Sequence, residues 1–435
     1  MSYPDLDSKS NALFQRARKV LPDGGSRSTI RMTPYSIFID GASGKTIRDV
    51  DGNIYIDFNN NYTSLIHGHS HPAIVEAVSE QLTRGTAYSF GSEAEVRLAE
   101  LLCERSPNFD KIRFMNSGTE AVMNAIKAMR AHTGKPKIAK CEHAYHGSYD
   151  YAEVSVSAPK TDLEKGDPRP IQHSAGTPRG ALDDVVVIPF NEPEIAERIL
   201  VSEAENLAGV LIDPFGAGLG RVPMSQPFRD MLERVREQHH VPIIFDEVVA
   251  FRAGWSGMQG EIDITPDITA LGKIIGGGFA VGAVAGGNDV MSVFEVADGR
   301  ARLPHGGTFN ANPVTMAAGH AAMSLMDRDA FTRLNALGGK FRDGIAEVLA
   351  LTNLSGKVLG QYSVFALAID DEDFAMDPNQ RFFGQGPDRL RYYMLDNGYY
   401  VAQGLYGALS TVMDHSDLDP FCQTLLEGIR SIRGE

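Results

Sequence analysis

"LAGVLIDPFGAGLGRVPMSQPFRDMLERVREQHHVPIIFDEV", residues 207–248, decides the fold. It opens on an apolar run, LAGVLIDPF (207–215). It passes through an amphipathic stretch, SQPFRDMLERVREQHH (225–240), and closes on a second apolar run, VPIIFDEV (241–248). Strand, helix and strand in that order predict parallel strands joined by a crossover helix. The near-continuous apolar runs fit a sheet covered on both faces.

The same alternation extends outward. Upstream, KIRFMNSG (111–118) feeds the helical TEAVMNAIKAMRAHTG (119–134), and KPKIAKCEHAYHG (135–147) reads as a strand ending in polar residues. Downstream, DITALGKIIGGGFAVGAVAGGND (267–289) carries one charged side chain, Lys273, between its terminal aspartates. That stretch is long enough to suggest a membrane span. Its glycines (272, 276–278, 282, 286, 287) suit loops between buried strands better. NPVTMAAGHAAMSLMD (312–327) begins a long helical region, and beyond about 330 the pattern turns mixed α and β. Near the start, 8–20 reads as a basic amphipathic helix. Residues 37–58 read as short strands, with hairpin chemistry at Asp40-Gly41 and Asp51-Gly52. Segment 155–190 reads as one long loop, of the kind that forms lids or binding elements.

Composition bounds the function. A chain of 435 residues is long enough for two or three lobes. The formal net charge of −15 argues against a nucleic-acid footprint, which needs a basic face. Cys103, Cys141 and Cys422 are few and scattered, so neither a disulfide framework nor a cysteine metal cluster follows, and a reducing cytoplasm fits. MSYPDLDSKS at the N-terminus is polar and carries acids, unlike a signal peptide. No membrane association is expected.

Four places carry chemistry. Lys273 is a lone ammonium in an apolar setting, where desolvation lowers a lysine's pKa and the neutral amine becomes a nucleophile for carbonyls. The competing structural reading is a lysine lying along the surface with its head in water. Asp246 ends a buried strand at the edge where α/β sheets bind ligands. It needs a cationic partner, either a protonated ring nitrogen or, in the plainer reading, Arg252. Ser117 and Glu120 have the spacing of a capping box, and Gly118 lets a ligand approach the helix start, where free N–H groups favour phosphate. Tyr145 and His146 end a strand, and an aromatic there can stack on a planar ring. A covalent lysine, an acid for a pyridinium, a phosphate cradle and an aromatic plate are together the needs of pyridoxal 5'-phosphate.

On the motifs NSGTEA (116–121), YHG (145–147), FDEV (245–248), LGKIIGGG (271–278) and HGGTFNANP (305–313), in this order and spacing, the sequence resembles the class III aminotransferases among fold-type I pyridoxal-phosphate enzymes. Within them it is most similar to the glutamate-1-semialdehyde aminomutase and β-amino-acid aminotransferase branch. The resemblance implies an α/β large domain (71–325) with a mostly parallel sheet and helices on both faces. It also implies a smaller α+β domain built from the N-terminal segment (1–70) and the C-terminal segment (326–435). Lys273 would carry the Schiff base, Asp246 would pair with the pyridine nitrogen, and Val248 and Tyr145 would sandwich the ring. Ser117, Gly118 and Thr119 would hold the phosphate, with His146 beside the cofactor. Thr308 would reach the cofactor of the other subunit of a homodimer. Arg27 falls where the branch places its carboxylate-binding arginine, with Arg31 as the fallback, and Tyr62 stands where the aminomutases carry tryptophan.

Three departures point from aminomutase toward transfer between an amino acid, β-amino acids included, and a keto acid. Asp213 stands where the family usually has glutamate before proline, GGTFN differs from the aminomutase form, and 155–190 lacks a Gly/Ser-rich gate. Other functions are weaker readings. FGAGLGR (215–221) has the glycines of a nicotinamide oxidoreductase, but Pro223 and Pro227 prevent a long helix at the pyrophosphate position. His67, His69 and His71 alternate as zinc ligands would, but no carboxylate is close in sequence, so turn and cap roles are expected and no metal. Intact Lys273 and Asp246 argue against a protein that kept the fold and lost catalysis.

Overall fold

A computed structural model describes residues 3–216, 220–370 and 388–434. Residues 217–219 of the FGAGLGR stretch and 371–387 of the C-terminal segment lie outside the described residues. The chain divides into two compact units, Pro72–Thr332 and the pair Met1–His71 with Arg333–Glu435.

The larger unit is built on seven strands: β1 (Lys111–Met115), β2 (Lys137–Cys141), β3 (Val185–Ile188), β4 (Leu207–Ile212), β5 (Ile243–Asp246), β6 (Ile268–Gly272) and β7 (Gly282–Gly286). Their order across the sheet is β1-β7-β6-β5-β4-β2-β3. Only β7 runs antiparallel to its neighbours, pairing Gly282 with both Met115 and Gly272. Period-2 alternation sends successive side chains into two separate cores. Ile138, Leu211, Ile244 and Ile268 pack with Val122, Ala125, Ile126 and Met129 of helix α1 (Gly118–Thr133). Ala139, Val210, Ile212, Ile243 and Phe245 pack with Phe228, Met231, Leu232 and Val235 of helix α2 (Gln226–His239) on the other face. Both faces of β4, and of β5 up to Asp246, are therefore apolar, as the sequence runs required. Asp246 shares the parity of Ile244, so it faces the α1 side.

Two local expectations are corrected. The 155–190 segment is not all loop: it holds a short helix, Arg179–Asp183, and the edge strand β3. The run VVVI is β-branched, and its parallel pairing with β2 outweighs the polar residues around it. In the smaller unit, Asp40-Gly41 lies inside the strand Ile39–Ser43, where the register slips, so the hairpin turn falls later, at 44–45. Asp51-Gly52 does turn the chain between Thr46–Asp49 and Ile54–Asp57.

The smaller unit joins both ends of the chain. The C-terminal strand Tyr399–Tyr400 pairs in parallel with Ile54–Asp57, adding to the N-terminal sheet. Phe58, Phe341, Phe365, Tyr399 and Phe421 form its aromatic centre, with the Phe58 and Phe421 rings 4.8 Å apart. Among the described residues, no helix is long and apolar enough to cross a membrane.

Candidate active site

The candidate residues that follow the strands of the larger unit gather at their carboxyl edge. Ser117 follows β1, Tyr145 and His146 follow β2, Asp246 ends β5 with Val248 two residues beyond, and Lys273 follows β6. Gly282 starts β7 so close to the entry of α1 that a Cβ there would lie 2.0 Å from the Ser117 carbonyl oxygen.

Lys273 adopts a left-handed backbone, φ 49°. Burial lowers its pKa to about 8, with Arg252 adding to the depression and Asp246 and Asp213 opposing it. Half of its amine is therefore neutral near that pH, the form that attacks a carbonyl. Asp213 is pushed well above the usual carboxylate range, by desolvation first and then by Asp246. Glu247 is fully buried and raised to about 7, again by desolvation first. It accepts from the Met258 and Gln259 amides at 2.8 and 2.9 Å, at the start of the short helix Gly257–Ile262. Three carboxyl groups thus share one edge with Lys273 and the buried Arg252, and burial holds two of them, Asp213 and Glu247, toward their neutral, protonated forms.

The link at Asp246 was only half legible. Its Oδ1 accepts from the Val248 amide at 3.1 Å, and its Oδ2 lies 2.8 Å from His146 Nδ1. The second contact gives Asp246 a partner that the sequence reading did not name. His146 is buried, and desolvation lowers its pKa, so at neutral pH it is uncharged. With the proton on Nδ1, His146 donates and Asp246 Oδ2 accepts. No local signal revealed this bond, since the two residues are 100 apart in sequence.

At the start of α1, Ser117 Oγ accepts from the Glu120 amide at 3.1 Å. Glu120 reaches back to the amide of Asn116 at 2.7 Å, one residue before the position a capping box specifies. Thr119 Oγ1 accepts from the Ser148 amide at 3.2 Å. Each hydroxyl thereby accepts from the backbone and keeps its own proton to donate. Gly118 brings the helix start against Val248, where a Cβ would come within 2.8 Å of Cγ1. Gly147 (φ 90°) lets the YHG turn pass close to Thr119. Tyr145 is exposed at this edge, 54% of its surface open.

Thr308 is exposed, beside a cleft lined also by Phe90, Ser92, Glu95 and Asn310, and its loop meets the entry of α1 where Asn116 Nδ2 donates to Asn310 Oδ1 at 2.7 Å. Its loop is tied down by Arg113, which donates to His305 Nδ1 at 2.9 Å and to the His305 carbonyl at 2.8 Å.

Arg27 and Tyr62 belong to the smaller unit, where they sit in one hydrogen-bonded group. Arg27 Nη1 donates to Asn61 Oδ1 at 2.8 Å, and the Tyr62 hydroxyl donates to the Thr29 carbonyl. Burial raises the Tyr62 pKa, so the phenol stays protonated. Arg31, the fallback anchor, is paired with Asp23 at 2.7 Å, whereas Arg27 makes no ion pair among the described residues. The histidine run is also resolved. His69 lies 2.8 Å from Asp57, a carboxylate distant enough in sequence to have been missed, and His67 bonds Thr411. Among the described residues no His/Cys/Asp/Glu group is arranged to hold a metal.

A nucleophilic lysine after one strand, an acid held by a buried histidine after another and hydroxyl donors at a helix start define a pyridoxal-phosphate enzyme of fold type I. The chain belongs to the class III aminotransferase family, whose profile (aminotransferase class-III) matches residues 28–377. It is 42% identical to an omega-transaminase from Sphaerobacter thermophilus over 99% of both chains, with a TM-score of 0.93. It is 28% identical to a β-phenylalanine aminotransferase from Variovorax paradoxus, over 98% of this chain and 94% of that one, with a TM-score of 0.85. A glutamate-1-semialdehyde 2,1-aminomutase of Methanothermobacter thermautotrophicus is 37% identical over 366 residues, 84% of each chain. The cofactor is pyridoxal 5'-phosphate. The donor set fits it: an amine for its aldehyde, carboxylates for its ring cation and two hydroxyl protons with free helix amides for its phosphate.

Proposed function

We propose that this enzyme transfers an amino group between an amino acid that presents a carboxylate, β-amino acids included, and a keto acid. The observation that carries the reading is the pairing of Lys273, its pKa lowered to about 8, with a histidine-held Asp246 at the same sheet edge. Pyridoxal phosphate, when bound, supplies an electron sink that acidifies the C–H beside the donor's nitrogen. Lys273 Nζ would hold the cofactor through its aldehyde, and its neutral amine would take and return that C–H proton as general base and acid. Asp246 holds a proton on the pyridine nitrogen, and His146 fixes Asp246 in place. Ser117 and Thr119 donate to the phosphate, Gly118 leaves room for it, and Val248 and Tyr145 flank the ring. Arg27 takes the donor's carboxylate, and Tyr62 lines that part of the pocket. The enzyme works as a homodimer, with Thr308 serving the partner's phosphate, in a reducing compartment such as the cytoplasm, in keeping with its three free cysteines.

An intramolecular transfer, as in the aminomutase relatives, is the second reading, favoured by their similarity over 84% and 97% of this chain. A donor panel with pyruvate or 2-oxoglutarate as acceptor separates the two. Turnover of several amino acids is expected. Turnover of glutamate-1-semialdehyde alone would establish the aminomutase reading instead.

A further inference from the structure

Four consecutive residues of the smaller unit, Asn60, Asn61, Tyr62 and Thr63, have positive φ, at 49°, 49°, 53° and 73°. They make one turn of left-handed helix without a glycine. L-residues avoid this conformation, with asparagine the least averse, and tyrosine and threonine hold it only where the surroundings impose it. Such runs are kept where they aim side chains that an ordinary turn would misplace.

The surroundings do impose it. Asp57, buried, accepts from the amides of Asn59 and Asn60 at 2.8 and 3.0 Å with one oxygen, and its other oxygen meets His69 Nε2 at 2.8 Å. Asn60, also buried, donates to the Ala408 carbonyl at 2.7 Å. Asn59 accepts from the Tyr62 amide. The histidine run that found no metal role thus braces this turn. What the turn presents is equally defined. Asn61 Oδ1 receives Arg27 Nη1 at 2.8 Å, while its amide nitrogen donates to Ser64 Oγ at 3.1 Å, which fixes which end faces the arginine. Tyr62 holds the next stretch of chain through Thr29.

We propose that Asn61, aimed by this left-handed turn, is the positioning residue that orients Arg27 and so sets the preference for carboxylate-bearing donors. A neutral acceptor on Nη1 leaves the guanidinium charge uncompensated and its Nε/Nη2 edge for a two-point carboxylate contact. The inference rests on Arg27 being the carboxylate anchor, and the experiment tests the two separately.

The holoenzyme and its Arg27→Ala, Asn61→Gly and Asn61→Asp variants are compared. Glycine keeps the left-handed backbone and loses the amide, and aspartate keeps the shape and adds a charge that competes for Arg27. Butanoate affinity is measured by calorimetry, and KM and kcat with 3-aminobutanoate and its decarboxylated counterpart isopropylamine, pyruvate accepting. Arg27→Ala is expected to weaken butanoate at least about tenfold. Asn61→Gly should raise the 3-aminobutanoate KM and the butanoate Kd by roughly five- to tenfold, with kcat within about twofold and the isopropylamine KM little changed, and Asn61→Asp should do more. No butanoate preference in the wild type, or none lost in Arg27→Ala, overturns the anchor reading and the inference with it. Loss in Arg27→Ala with both Asn61 variants silent overturns the inference alone. So does a fall in kcat and melting temperature that affects both donors equally, the mark of a merely structural turn.

Discussion

Lys273 joins a left-handed backbone to a pKa that burial lowers to about 8. For a residue with a Cβ that backbone costs about 1–2 kcal/mol, and strain of this kind is kept where geometry matters more than stability. The lone charge in 267–289 made Lys273 legible, because an unpaired ammonium among apolar residues demands an explanation. Its φ was not legible, since nothing in KIIGGG marks the lysine rather than a glycine as left-handed. Lys273→Ala is expected to lower amino transfer at least ~10³-fold, and borohydride should then fix no cofactor on the chain. The pH dependence follows from the direction of the shift. The folded pKa lies below the ordinary value of 10.5, so the neutral amine is scarce below about 8 and abundant above it. Cofactor uptake by the apoenzyme, followed by its visible absorbance, should therefore quicken as pH rises through about 8 and then level off. A rate flat between pH 7 and 9 would contradict this.

Among elements, the entry of α1 against the start of β7 leaves almost no room. Gly282→Ala would drive a methyl group to 2.0 Å from the Ser117 carbonyl, and a backbone atom cannot swing aside. A loss of about 1–3 kcal/mol in urea unfolding is expected, with weaker cofactor binding because the helix start must shift. Gly118→Ala meets the side chain of Val248 at 2.8 Å instead, so its effect should fall more on cofactor affinity than on stability. The neighbouring strand β2 carries Lys140, fully buried, whose ammonium donates to the carbonyls of Val154 at 2.7 Å and Cys141 at 3.2 Å. Desolvation lowers its pKa to about 7. The unfolded chain therefore binds more protons than the folded one between about 7 and 10.5, and the lysine's penalty is full below 7 and fades as pH rises. Glu247 titrates in the opposite sense over about 4.5–7, outside that window. Wild type should thus gain in urea midpoint relative to Lys140→Met between pH 7 and 9, and parallel curves for the two proteins would refute the buried charge. At this scale the apolar alternation of 207–248 was readable because both faces of the sheet are covered. The strand Val185–Ile188 was lost inside a polar segment, four residues being too few to show a period.

For the whole molecule, the pairing of Tyr399 with Ile56 explains why the two ends of the chain share one unit. No local pattern announces a contact across that many residues, and the expectation came from the resemblance. The bond of Arg27 to Asn61 was out of reach for the same reason, although Arg27 itself was named. The proposed homodimer can be tested by mixing subunits. If Thr308 serves the partner's phosphate, each active site draws Lys273 from one subunit and Thr308 from the other. Thr308→Val should then weaken cofactor binding in homodimers, and Lys273→Ala should abolish transfer. A mixed dimer of these two variants is different: the subunit that keeps Lys273 receives a wild-type threonine from its partner, so one of its two sites is intact. Unfolding and refolding the two together should restore roughly a quarter of the wild-type sites, because about half of randomly paired dimers are mixed. If Thr308 instead acts within its own subunit, one site of the mixed dimer lacks the lysine and the other lacks the threonine. Activity would then not rise above the average of the two parents, and the subunit-spanning site would be wrong.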